Sequence, residues 1–189
     1  MDNSEKTKDK KLLGEVLDWT LHIVIAVALG LLIVTFVAQR TVVFNYSMEP
    51  TLVEGDNLIA EKISPKLKNL KQGDIVTIKN ASPSLEEDGK TIIKRIVAVE
   101  NDVVDIRDGK VYINGQEFVE PYIKGDYTMQ IDPKYCVNYK VPEDNVYVLG
   151  DNRKANIVDS RSIGPVALDK IESKAIFRIY PFKRFGKLK

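Results

Sequence analysis

The sequence predicts a β-rich domain carried behind one N-terminal transmembrane helix. Three observations predict it: a run of twenty uncharged residues from Trp19 to Ala38, a series of short β-branched runs beyond Arg40, and two hairpin turn signals, Asp108-Gly109 and Asn114-Gly115. The apolar run lies between Asp18 and Gln39-Arg40, and about twenty helical residues cross the ~30 Å hydrocarbon core of a bilayer. A secretory signal peptide has a shorter apolar core and a small-residue cleavage site. This run stays rich in Leu, Ile and Val to its end, so it reads as a retained anchor.

Lys6, Lys8, Lys10 and Lys11 precede the run, whereas only Arg40 lies in the twenty residues after it. That asymmetry holds the lysine side in the cytoplasm. The expected division is therefore a cytoplasmic segment 1–18, a membrane helix 19–38 and an extracytoplasmic domain 39–189. His22 sits near the cytoplasmic end of the helix, where a neutral imidazole reaches the interface, and is read as structural.

Beyond the anchor the predicted strands are Thr41 to Phe44, Asn57 to Ile63, Asp74 to Lys79, Thr91 to Val99, Val103 to Arg107, Lys110 to Ile113 and Val146 to Leu149. The Asp-Gly and Asn-Gly pairs favour positive φ and mark successive hairpins, within a hairpin insertion expected over 101–145. Ala81 to Lys90, with Pro83, Glu86, Glu87, Asp88 and Gly89, reads as an exposed loop. Gly125 to Tyr139, which contains Asp132-Pro133, receives no assignment.

Composition removes several function classes. A formal net charge of +1 gives no footprint for nucleic acid. The basic ending, Lys183, Arg184, Lys187 and Lys189, reads as a solvated tail or as a contact to anionic lipid headgroups. Cys136 is the sole cysteine, so no internal disulfide forms. His22 is the sole histidine, which leaves none in the soluble part for a Ser-His-Asp or Cys-His mechanism.

Three clusters can carry chemistry. The first, Ser47-Met48-Glu49-Pro50-Thr51-Leu52, is by itself an ordinary turn at a strand end. A serine hydroxyl attacks a carbonyl only when a base removes its proton, and without histidine the bases left are Asp, Glu, Tyr or a neutral Lys. The second cluster lies in Thr91 to Val99, where alternation puts Lys94 on one face with Ile92, Ile96 and Ala98, and Arg95 on the other with Ile93, Val97 and Val99. Periodicity does not choose which cation points inward, and a solvated edge strand remains open. Arg is always protonated, however, so of the two only Lys94 can serve as a base, and burial would provide the free amine. The third cluster is Gly150-Asp151-Asn152-Arg153 followed by Asp159-Ser160-Arg161, which alone reads as a salt-bridged loop.

Together, in this order and at these approximate spacings, the three clusters resemble type I signal peptidases: a Ser-Met-x-Pro-Thr box after a transmembrane helix, a Lys-Arg pair on a later strand, and a Gly-Asp-Asn-Arg box ending in Asp-Ser-Arg. Gly73-Asp74-Ile75-Val76 and the Asn101 to Gly115 hairpins extend the resemblance to about Val166. It implies a mostly antiparallel β architecture, shared with self-cleaving repressor-type Ser-Lys proteases. It implies Ser47 as nucleophile, Lys94 as general base, and Asp159 and Arg161 as polar support, with Arg153 in the same scaffold. The Ser47 amide would give one oxyanion donor and the Asn45 side-chain amide another, although many members carry Ser or Gly at that position. The last box is one residue longer than the family spacing and lacks its internal serine, for which Asn156 is the expected replacement.

The implied substrates are secretory preproteins cut after Ala-x-Ala-like sites, with Val43, Met48, Leu52 and Ile92 as candidate walls of shallow pockets. Membrane lipid is the other implied partner, and neither metal nor other cofactor is expected. A specialised paralogue with a narrow substrate set and a non-catalytic, membrane-tethered β domain are the competing readings.

Overall fold

The structure, a computed structural model, describes residues 3–79, 91–154 and 157–188. It divides into two compact units, one ending at Val37 and one running from Ala38. The first unit is a single helix, α1 (Asn3–Phe36), whose stretch Gly14–Ile33 has a mean hydropathy of 2.2. Its large apolar side chains are exposed on every side, including Trp19, Leu21, Val24, Leu31 and Phe36. A helix apolar all round needs an apolar surrounding, and this one is long enough to cross a membrane. Two of its polar residues bond one turn back: Thr20 Oγ1 donates to the Val16 carbonyl and His22 Nδ1 to the Asp18 carbonyl, both at 2.7 Å. The helix stops at Phe36, and Ala38, counted by apolarity into the membrane run, is the first residue of a strand.

The strands of the second unit, among the described residues, are β1 (Ala38–Val42), β2 (Asn57–Glu61), β3 (Ile75–Lys79), β4 (Thr91–Ala98), β5 (Val103–Arg107), β6 (Lys110–Ile113), β7 (Gln116–Glu117), β8 (Tyr139–Lys140), β9 (Asn145–Leu149), β10 (Val166–Ala167), β11 (Ile171–Tyr180) and β12 (Gly186–Lys187). Single-turn helices accompany them, among the described residues α2 (Ile63–Lys66), α3 (Pro133–Cys136) and α4 (Ser160–Ile163). One sheet has the order β1-β2-β11-β3-β4-β9-β10, with β12 beside β11, and a smaller one runs β7-β6-β5-β8. Every named strand pair is antiparallel.

The hairpins turn where their sequence demands it, with Asp108, Gly109, Asn114 and Gly115 all at positive φ. Asp132 begins α3 as its cap, accepting the Lys134 amide at 2.9 Å, and Cys136 lies buried behind it. The expected loop Ala81 to Lys90 lies outside the described residues.

Two differences from the sequence reading matter for the site. β11 is a central strand, yet no strand was expected there: of its buried positions Ile171, Ser173 and Ala175 only the first is a large apolar residue, and they alternate with Glu172 and Lys174, so its first half takes its strand character from pairing with β2 and β3. β4 is also central, flanked by β3 and β9, and both of its faces are covered. Lys94 and Arg95 are consequently both buried, at 2% and 1% exposure, on opposite faces of one strand.

Candidate active site

The nucleophile candidate lies in a turn closed by its own backbone and held by the Gly150 box. Glu49 N donates to the Tyr46 carbonyl and Leu52 N to the Met48 carbonyl, closing the turn. From the Gly150 box, Asn152 donates its amide to the Ser47 carbonyl and its side-chain Nδ2 to the Tyr46 carbonyl, both at 3.1 Å. Gly150 permits this approach, because a Cβ there would lie 2.5 Å from the Ser47 carbonyl oxygen.

Lys94 reaches the same region from β4. Burial lowers its pKa from 10.5 to about 8; Asp159 opposes the shift, Arg161 adds to it and Asp151 opposes it. Ser47 and Lys94 both line a cavity of about 760 Å³, together with Val43, Phe44, Tyr46, Ile92, Ile93, Ile157 and Val158. They are not hydrogen-bonded to each other. Instead the Ser47 hydroxyl donates to Asn45 Oδ1 at 2.8 Å, and the Ser47 amide donates to the same oxygen at 3.1 Å. Asn45 thus presents its carbonyl oxygen, where an oxyanion donor would present its nitrogen.

Asp159 and Arg161 form a pair with no exposed side-chain surface. Arg161 grips the carboxylate through Nε at 2.9 Å and Nη2 at 2.8 Å, and Asp159 also accepts the Gly150 amide at 3.2 Å. Arg161 Nη1 donates to the Arg153 carbonyl at 2.9 Å. Arg153 belongs to the same framework, donating to the Gly150 carbonyl, to Thr128 and to Glu120. On the other face of β4, Arg95 makes a two-pronged pair with Asp151 at 2.9 and 2.7 Å, and its guanidinium lies 3.9 Å over the Tyr122 ring. Such planar forks fix the box and β4 relative to each other while leaving few buried charges uncompensated.

Of the expected pocket walls, Val43 and Ile92 line the cavity. Met48 and Leu52 do not: both are completely buried in the core cluster with Leu58, Ile75 and Ile93, because they point under the turn. The walls missed from sequence include Phe44, Tyr46, Ile93, Ile157 and Val158. Asp151 and Asn152 stand in the box recognised from sequence, but their partners Arg95 and the Tyr46 and Ser47 carbonyls were not foreseen, and Glu120 was missed with no local signal. Asn156 lies outside the described residues.

A buried lysine and a serine thus line one cavity of an antiparallel β domain whose neighbouring arginines and carboxylates are paired, and the sole histidine, His22, lies in α1. The family model for signal peptidase, peptidase S26, matches residues 16–180. Signal peptidase I P of Bacillus subtilis subsp. natto is 33% identical over 192 residues, covering 97% of this chain and all of that one. A probable signal peptidase I-2 of Synechocystis is 39% identical over 167 residues, covering 87% of this chain and 73% of its own. A crystal structure of a signal peptidase I from Enterococcus faecalis aligns with a TM-score of 0.45 at 26% identity, over 56% of this chain and 95% of that one. The chain belongs to the S26 signal peptidase family of serine peptidases.

Proposed function

We propose that the protein is a membrane-anchored endopeptidase that removes N-terminal signal peptides from secretory preproteins after Ala-x-Ala-like sites, with Ser47 as nucleophile and Lys94 as general base. The observation that carries this reading is a lysine amine at 2% exposure, on the wall of the cavity that also holds Ser47.

The substrate backbone has a place to bind. β9 pairs with β4 only from Arg95 onward, so Thr91 to Lys94 offer a strand edge without a partner among the described residues. An extended peptide adds to such an edge through main-chain hydrogen bonds. Apolar walls at Val43, Ile92 and Ile93 then favour small apolar side chains beside the scissile bond.

For attack, Ser47 Oγ turns from Asn45 toward Nζ, and the neutral Lys94 amine takes its proton as Oγ bonds to the scissile carbonyl carbon. The Ser47 amide, released from Asn45 Oδ1, donates to the resulting oxyanion, and the Asn45 amide nitrogen turns in as a second donor. One such donor contributes about 3 kcal/mol to the transition state. The Lys94 ammonium then gives its proton to the leaving amine as the peptide bond breaks. It next accepts a proton from the water that hydrolyses the acyl-enzyme, and returns it to Ser47.

In the proposed topology, residues 1–18 are cytoplasmic, the span ends with the helix at Phe36, and the domain that begins at Ala38 lies outside. Purified protein mixed with a preprotein tests the chemistry. Ser47→Ala and Lys94→Ala should each abolish cleavage while leaving far-UV and near-UV spectra intact. Undiminished cutting by either variant removes the mechanism.

A further inference from the structure

The nucleophile turn is held on one side by Asn152. On its other side stand two arginines from the far end of the chain. Arg184 donates through Nη2 to the Pro50 carbonyl at 3.2 Å and the Thr51 carbonyl at 3.0 Å. Arg178, near the end of β11, donates through Nη1 to the same Thr51 carbonyl at 2.9 Å and to Asp56 Oδ2 at 2.9 Å. Arg184 Nη1 also reaches Asp56, and Arg178 Nε fixes Arg184 in turn by donating to its carbonyl at 2.6 Å. Asp56 is completely buried and spends its remaining capacity on the Val53 amide. The basic ending is therefore not a free tail: Lys187 belongs to β12, and while Lys183 and Lys187 are exposed, the half-buried Arg184 reaches back to the turn.

We propose that Arg178 and Arg184, held by Asp56, are positioning residues for the nucleophile. They act through the Pro50 and Thr51 carbonyls on the Ser47 to Leu52 turn; the proposal rests on Ser47 being the attacking residue. Backbone carbonyls that leave a tight turn must be paired, and water would pair them without fixing them. A planar guanidinium bonded to two carbonyls and a carboxylate sets their directions as well. Because the Leu52 amide closes on the Met48 carbonyl, a shift at Pro50 or Thr51 passes along the turn to Ser47. Near-attack geometry is sensitive to such shifts, a displacement of ~1 Å costing on the order of a hundredfold in rate.

The test uses the full-length protein in detergent with a preprotein substrate, comparing Arg184→Ala and Arg184→Lys with Lys183→Ala and Lys187→Ala. Arg184→Ala should lower kcat by roughly tenfold to a hundredfold, with KM and the apparent pKa of the rate profile unchanged. Arg184→Lys should recover part of the loss, since an ammonium reaches one carbonyl but cannot bridge two. The Lys183 and Lys187 variants should match the parent. A residue that only stabilises the fold would lower Tm and leave kcat intact well below it. Full kcat in folded Arg184→Ala, or an equal loss in Lys183→Ala, overturns the proposal. If Arg184→Ala does not fold, full kcat in Arg184→Lys overturns it. Cleavage that survives Ser47→Ala would refute the nucleophile reading, and the clamp with it; Ser47-dependent cleavage indifferent to Arg184 refutes the clamp alone.

Discussion

Lys94 must be buried to be a base, and burial makes it costly to the fold. With its pKa lowered to about 8, the amine is mostly protonated at neutral pH. The acylation rate should therefore fall about tenfold for each pH unit below that value and level off above it. A kcat/KM profile flat from pH 6 to 9 would remove Lys94 as the base. The same shift has a stability consequence of defined sign. Between about 8 and 10.5 the unfolded chain binds a proton that the folded chain does not, so stability rises with pH across that window. Lys94→Met, which fills the same space without the amine, should be inactive and more stable than the parent by about 3 kcal/mol at pH 7. That gap should close as pH approaches 10.5, the unshifted value. Urea unfolding at neutral and alkaline pH measures it; a variant less stable at every pH would show that the amine's partners outweigh its desolvation.

At the scale of elements, the proposed catalytic arrangement is a strand and two turns pressed together, and Gly150 is where the turns meet. A methyl group there would lie 2.5 Å from the Ser47 carbonyl, a backbone atom that cannot swing aside. Gly150→Ala should cost about 1 to 3 kcal/mol in stability by overpacking and, by shifting the turn, lower kcat more than it raises KM. Normal kcat with normal Tm would show that the two turns are free to part. β4 was legible because β-branched residues on both sides of Lys94-Arg95 signal a strand, and apolar residues at both parities are those of a strand covered on both faces. β11 was not, because after Ile171 its inward positions are the small or polar Ser173 and Ala175, and the pairing that orders it comes from neighbours distant in sequence. Met48 and Leu52 show the same limit within a turn: apolar character does not reveal whether a side chain faces cavity or core. The buried pairs of Arg153 with Glu120 and Arg95 with Asp151 join residues 33 and 56 positions apart, and no local pattern connects them.

At the scale of the whole molecule, the division after Val37 separates two tasks that the sequence already distinguished by composition. The helix is apolar on every side, while the domain carries its own buried clusters and all of the candidate site residues. The helix should therefore contribute location rather than chemistry. A preprotein whose signal segment is inserted in the same bilayer meets an anchored enzyme at a raised effective concentration, and such tethering gains on the order of a hundredfold or more without any new contact. Removing residues 1–37 should leave a folded domain that cleaves a short soluble peptide with the parent kcat/KM. Against a vesicle-inserted preprotein, the same truncated enzyme should lose on the order of a hundredfold. Equal losses on both substrates would mean that the helix supports the site itself, and no loss on either would mean that the domain finds its substrate unaided.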